Sequence, residues 1–224
     1  MKVFKTPREL AEWNDEMVRR YDIERYYERS HPITRWLEQQ RLSVLRRMAQ
    51  PKEGERMLEV GCGAGHVLEK FDVCSRTGVD LSAIMLARTA RRLGNSIPLV
   101  QGSADALPFP AAAFDIVVCT EVLEHTTDPA CVIEELLRVA GPGGRVIVSV
   151  PNEAMIDRAK ATLRRVPVLR SMLRSLAAEG NEWHLQTFDL PLLLELAKGR
   201  ARVTQVRPIP NRIAPIRFVA EMRA

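Results

Sequence analysis

Cysteine is scarce in this sequence. It occurs four times, at Cys62, Cys74, Cys119 and Cys131, with no CxxC pair. That argues against a disulfide framework and fits a reduced, cytoplasmic compartment with buried free thiols. No run of 18 or more apolar residues exists, so no transmembrane helix is expected. The opening residues Met1 to Arg8 lack the apolar stretch of a signal peptide. Internal repeats and low-complexity linkers are absent as well. What remains is ordinary globular usage over 224 residues, 46% apolar and 27% charged. This excludes a disordered chain, a collagen and a coiled coil.

The charge is unevenly spread. Residues 1–150 hold 20 basic and 21 acidic residues, and residues 151–224 hold 13 and 7. The basic excess therefore lies in the last third, where an anionic partner is to be sought.

Residues 1–50 read as helices, from the helical spacing of Trp13, Met17 and Tyr21 and then of Trp36, Leu37, Leu42, Val44, Leu45 and Met48. Short apolar runs then alternate with helical segments. Strands are predicted at 57–60, 77–80, 97–101, 114–119 and 145–150. Helices are predicted from the turn Gly61–Gly65 through Phe71, from Ser82 to about Leu93, and from Asp128-Pro129 to Ala140. Such alternation argues an α/β fold, a parallel sheet with helices on both faces. Residues 203–209 and 216–222 read as an antiparallel edge pair.

Gly61-x-Gly63-x-Gly65 between a strand and a helix has the form of a nucleotide-type loop, though a tight turn would have the same form. The spacing is GxGxG rather than GxGxxG, which weakens the dinucleotide reading. Three carboxylates strengthen the ligand reading. Glu59 stands two residues before the loop, Asp80 ends the second strand, and Asp105 follows the third, all on or near the sheet edge where open α/β folds bind ligands.

At this point the sequence resembles the class I S-adenosylmethionine-dependent methyltransferases. The matching stretches are LEVGCGAGHVLEKF (58–71), GVDLS (78–82), GSADALPFPAAAFDIVVCTEVLEH (102–125) and LLRVAGPGGRVIVSVPN (136–152). The resemblance implies a Rossmann-like, doubly wound, seven-stranded sheet with an antiparallel last strand. It implies a loop (Gly61, Cys62, Gly63, Gly65, with Glu59 before it) facing the methionine part of S-adenosyl-L-methionine. Asp80, followed by Leu81, would bind the ribose hydroxyls. Asp105 would pair with the adenine amino group, with Ala104 supplying a backbone N–H, and Thr120 would complete the cofactor set. A nicotinamide-dependent enzyme would leave Asp105 unexplained. A cofactor-binding protein without catalysis fits a complete motif set poorly.

Glu121-x-x-Glu124-His125 follows the fourth strand. On one helical turn its three polar side chains would share a face and could hold a divalent cation, Mg²⁺, Mn²⁺ or Zn²⁺. The acids could equally favour a helix N-terminus, Glu121 could line the cofactor pocket, and His125 could act as a metal-free base. His184 stands 59 residues later, in Trp183-His184, which could also be a packed aromatic pair. The spacing resembles two kinds of metal-dependent enzyme, the ubiquinone-biosynthesis O-methyltransferases and the small-RNA 3′-end 2′-O-methyltransferases. It implies Glu121, Glu124, His125 and His184 as ligands, with His125 and His184 as the catalytic candidates.

Between residues 153 and 178 the sequence carries Arg158, Lys160, Arg164, Arg165, Arg170 and Arg174 and, from 158 on, no acid. Apolar stripes Met155, Ile156, Ala159, Leu163, Val166 and Val168, Leu169, Met172, Leu173, Leu176 flank a break at Pro167. This is the pattern of a basic amphipathic helix, read as a lid over the site, with an anionic membrane surface as the alternative partner. Nucleic acid is the weaker partner, since no aromatic stacking platform accompanies the charge.

The expectation is thus one domain. Its parts are a helical cap (1–50), a cofactor core (51–152), a basic amphipathic lid insertion (153–188), and a C-terminal helix and strand pair (189–224). The expected activity is O-methylation of a small, lipophilic hydroxylated acceptor, assisted by a cation. The alternatives are a metal-independent N- or C-methyltransferase and an RNA 2′-O-methyltransferase. The acceptor and the oligomeric state are not readable from the residues.

Overall fold

The computed structural model describes residues 4, 6–21, 32–94, 96–164 and 183–223. The elements run α1 (Pro7–Arg20), α2 (Pro32–Ala49), β1 (Arg56–Val60), β2 (Ser75–Asp80), α3 (Ala83–Leu93), β3 (Leu99–Gln101), β4 (Ile116–Thr120), α4 (Pro129–Ala140), β5 (Arg145–Pro151), α5 (Glu153–Arg164), α6 (Leu190–Ala197), β6 (Arg202–Ile209) and β7 (Arg217–Arg223). Seven strands form one sheet in the order β3-β2-β1-β4-β5-β7-β6. The first five are parallel, and β7 runs antiparallel to both β5 and β6. Among the described residues, no helix is long and apolar enough to cross a membrane.

The strands are apolar on both faces because both faces are covered. Val117, Cys119, Val146 and Val148 pack with Val132, Ile133 and Leu136 of α4 and Leu193 of α6. Their sequence neighbours Ile116, Val118 and Ile147 pack on the opposite side with Leu45 and Met48 of α2 and with Phe71. Successive side chains of a strand point to opposite faces, so this alternation builds two half-cores around one sheet. Each fully buried large aliphatic side chain is worth about 1.5–3 kcal/mol.

Helix starts follow local chemistry. Thr6, Ser82, Asp128 and Asp189 each accept a hydrogen bond from a first-turn backbone N–H of the helix that follows. A cap of this kind contributes about 1 kcal/mol.

Two expectations need correction. No α-helix follows the glycine loop; a single 3-10 turn, Leu68–Lys70, stands there. The buried Glu59 carboxylate captures Leu68 N–H, and the chain must enter β2 at Ser75, which leaves no room for further turns. The third strand is also shorter than expected, starting at Leu99. Pro98 has no N–H to give to a ladder and contributes only its carbonyl, which accepts from Gly78.

Of the basic insertion, α5 is described. Met155, Ile156 and Ala159 are half-buried on it, and Arg158 is exposed. Arg165, Arg170, Arg174, Pro167 and the second apolar stripe lie outside the described residues, as does the stretch Tyr26 to His31.

Candidate active site

The carboxyl ends of β1, β2 and β4 converge on the glycine loop. Gly61, Gly63 and Gly65 all have positive φ, at 71°, 52° and 81°. At Gly61 the requirement is also steric, since a Cβ there would stand 2.3 Å from Val122 Cγ2. A Cβ at Gly63, by contrast, would meet nothing within 4 Å, so this part of the loop faces open space.

Four of the loop's five N–H groups are used within the protein. Gly61 and Cys62 N–H both donate to Val79 O, Gly65 N–H to Cys62 O, and Gly63 N–H to Asp80 Oδ2 at 2.8 Å. Thr89 Oγ1 donates to Gly63 O at 2.6 Å. A phosphate cradle needs those N–H groups turned outward and a helix N-terminus behind them. Neither is present, so the loop is shaped for a ligand without a phosphate. A dinucleotide's pyrophosphate therefore finds no cradle here.

Asp80 is 8% exposed and holds the edge of this space. Its carboxylate accepts from Gly63 and Ser82 N–H, both at 2.8 Å. Burial outweighs those bonds and raises its pKa to about 6. Leu81 O is held by Gln101 Nε2 at 3.0 Å. Ala104 and Asp105 are half-buried, and Asp105 O accepts from Cys131 Sγ. The loop they occupy is anchored to α4 by Glu135, which accepts from Leu107 N–H, and by Arg138, which donates to Leu107 O and Phe109 O. Thr120 is buried at the end of β4. Cys62 and Glu59 are both buried, Cys62 N–H is bound to Val79 O, and Glu59 braces Leu68, so each shapes the loop from within.

The second constellation is assembled by the returning end of the insertion. Leu185 and Gln186 N–H both donate to Glu124 O, at 2.8 and 3.2 Å, and Gln186 Nε2 reaches Thr126 O. These bonds bring His184 beside the turn Leu123–His125. Glu124, His125 and His184 then offer one ligand atom each, all within 4.8 Å of one another.

Their chemistry fits a cation. Glu124 is 1% exposed, and its Oε2 is buried with no hydrogen-bond partner. Burial, and then the neighbouring Glu121, push its pKa well above the ordinary carboxylate range. His125 Nδ1 lies 3.0 Å from Trp183 O, and His184 Nδ1 lies 2.6 Å from Glu153 Oε1. A carbonyl and a carboxylate only accept, so each Nδ1 carries a proton and Nε2 is the ring atom left to a ligand. Burial, and beside it His184, hold His125 neutral down to about pH 4, the form that ligates.

Glu121 is not part of this cluster, which corrects the four-ligand expectation. The turn is 3-10 rather than α-helical, and Glu121 precedes it at φ 53°, so the i, i+3, i+4 face does not form. Its carboxylate instead accepts from Ser149 Oγ at 2.7 Å and from Arg217 Nε at 2.8 Å. Arg217 also donates to Glu38 at 2.5 Å, and Glu38 in turn accepts from Arg41. This buried network ties α2, β5 and β7 to the end of β4.

Residue-by-residue reading missed Glu153 and Arg217. Both stand on the cofactor edge. Glu153 follows β5 as Asp105 follows β3, so the criterion that found one would have found the other. Arg217 opens an antiparallel strand and pairs with Pro151 at the end of β5, which puts a strand's start among the other strands' ends.

The chain matches the methyltransferase-domain family model over residues 58–148. It is 33% identical over 211 residues to a ubiquinone biosynthesis O-methyltransferase of Paracidovorax citrulli, covering 90% of this chain and 84% of that protein. It is 32% identical over 141 residues to a probable S-adenosylmethionine-dependent methyltransferase of Mycolicibacterium smegmatis, over 62% of this chain and 51% of the relative. Among solved structures, a Pyrococcus horikoshii protein superposes with a TM-score of 0.67 at 17% identity, over 93% of this chain and 98% of its own. An N-methyltransferase of Bradyrhizobium japonicum in complex with S-adenosyl-L-homocysteine gives 0.62 at 19%, over 84% and 87%. With sequence relatives, sheet order and cofactor edge in agreement, the chain belongs to the class I S-adenosylmethionine-dependent methyltransferases and within them resembles the ubiquinone biosynthesis O-methyltransferases.

Proposed function

We propose that this methyltransferase transfers the methyl group of S-adenosyl-L-methionine to a hydroxyl of a small, lipophilic acceptor, with a divalent cation held by Glu124, His125 and His184. The observation that carries the reading is the buried, unpartnered Glu124 Oε2 beside two imidazoles whose Nδ1 atoms are already engaged. A buried carboxylate oxygen without a partner is costly, and a cation would satisfy it.

A sulfonium methyl is already activated, so the protein's main task is to hold the acceptor in line with it. A hydroxyl is a weak nucleophile at neutral pH, and a bound cation lowers its pKa. His125, with its pKa near 4, would be a poor general base at neutral pH, which favours the ligand role for it. Two imidazoles and one carboxylate suit Zn²⁺ and accept Mn²⁺. Mg²⁺ prefers an all-oxygen set and fits less well.

The decisive experiment is a mass-spectrometric screen of a cell extract incubated with methyl-labelled cofactor. Labelled methyl ethers are expected in the lipid-soluble fraction. Label confined to amines, or to RNA, would overturn the acceptor class.

Peripheral membrane association from the cytoplasmic side is a second part of the proposal, supported by the six basic residues between 158 and 174 and by exposed Arg158. Co-sedimentation with anionic vesicles should exceed that with neutral ones and weaken as salt rises. Equal recovery from both would leave the insertion as a lid alone.

A further inference from the structure

We infer that Glu153 is a positioning residue for the methyl-transfer site, acting through His184 by fixing which ring nitrogen is free to ligate. The inference rests on the cation reading above and adds a residue to it.

His184 Nδ1 and Glu153 Oε1 are 2.6 Å apart, and both side chains are largely shielded from water, at 23% and 17% exposed. Glu153 is itself held at both ends. Its backbone N–H donates to Phe188 O at 3.2 Å, four residues beyond His184, and it opens α5 directly after β5. The carboxylate therefore projects from a rigid strand end onto an imidazole carried by the returning segment. Since a carboxylate accepts and does not donate, the bond demands Nδ1–H. A free neutral histidine has no such constraint and distributes its proton between both nitrogens. Glu153 thus selects the tautomer with an open Nε2 and turns the ring. Trp183 O does the same for His125, with a neutral acceptor in place of a charged one. A carboxylate behind a ligating histidine changes metal affinity by about 10–100-fold when removed.

Glu153 opens α5 and His184 stands 31 residues on, so their bond also ties these two stretches of the chain together.

The test uses Mn²⁺ titration calorimetry on the full chain saturated with S-adenosyl-L-homocysteine, with histidine-nitrogen NMR of the metal-free protein alongside. Glu153→Ala should weaken Mn²⁺ binding about 10–100-fold with cofactor affinity unchanged. It should also shift His184 from the Nδ1–H tautomer toward a mixture. Glu153→Gln, which can keep the hydrogen bond but not the charge, should fall between Ala and wild type. Wild-type Mn²⁺ affinity in both variants, or an unchanged His184 spectrum in Glu153→Ala, would overturn the inference. Should Glu153→Ala fail to bind cofactor, Glu153→Gln decides alone, and Mn²⁺ affinity equal to wild type in it overturns the role of the charge. Absence of Mn²⁺ binding by the wild-type protein is a separate outcome, which overturns the cation reading itself and this inference with it.

Discussion

Replacing Asp80 by alanine is expected to weaken S-adenosyl-L-homocysteine binding more than tenfold, about 1.4 kcal/mol or more, as read by titration calorimetry. The buried carboxylate stands at the mouth of the loop, and its removal takes away the anchor of Gly63 N–H and, on the role the resemblance implies for it, the acceptor for the ribose hydroxyls. The pH dependence follows from the direction of its shift. Burial raises the pKa to about 6, so the acceptor form is complete above that value and is lost as pH falls through it. Cofactor affinity should therefore be flat at neutral pH and decline below about 6, approaching a tenfold loss per pH unit, since binding must then expel one proton. In the Asp80→Ala variant this limb should vanish. Unchanged affinity in the variant would show that the ribose is held elsewhere.

Glu124→Ala and His184→Ala are each expected to reduce methyl transfer by roughly two orders of magnitude or more, the scale of a lost cation effect of several kcal/mol. Among the described residues no hydrogen bond joins either side chain to the glycine loop, so cofactor affinity should remain close to that of the wild type. Binding should also be visible without turnover. Mn²⁺ or Zn²⁺ should raise the melting temperature of the wild-type protein, because a ligand that binds the folded state stabilises it, and should leave both variants unmoved. Full activity after exhaustive chelation, on an acceptor that is demonstrably turned over, would remove the cation from the mechanism. The acceptor class would then move toward amines, thiols or hydroxyls deprotonated by histidine.

The architecture was readable in the sequence because it rests on local signals. Short continuous apolar runs such as Ile116 to Cys119, capping residues such as Ser82 and Asp128, and carboxylates at strand ends are each visible within a dozen residues. The cluster was partly readable, since two of its members lie in one string and the third recurs at a familiar distance. What was hidden is competition between partners. Nothing local says that Glu121 gives both oxygens to Ser149 and Arg217, 28 and 96 residues away. Nor does anything local say that Glu59 spends its carboxylate on Leu68 and so replaces the expected helix with one tight turn. Composition and spacing reveal which groups can ligate, and only the tertiary fold decides which are already taken.

The ion network running from Arg41 through Glu38 and Arg217 to Glu121 bears on how this enzyme can be taken apart. Its four charges come from α2, from β7 and from the end of β4, so the stretch that matches the family model supplies only one of them. A fragment cut at the boundaries of the matched stretch would contain the glycine loop and the cofactor carboxylates, but Glu121 would have lost the guanidinium that turns it away from Glu124. Modularity therefore ends short of the active site. The flanking segments brace the end of β4 beside the candidate site, and a graft of the core onto foreign flanks would have to bring Glu38, Arg41 and Arg217 along as a set.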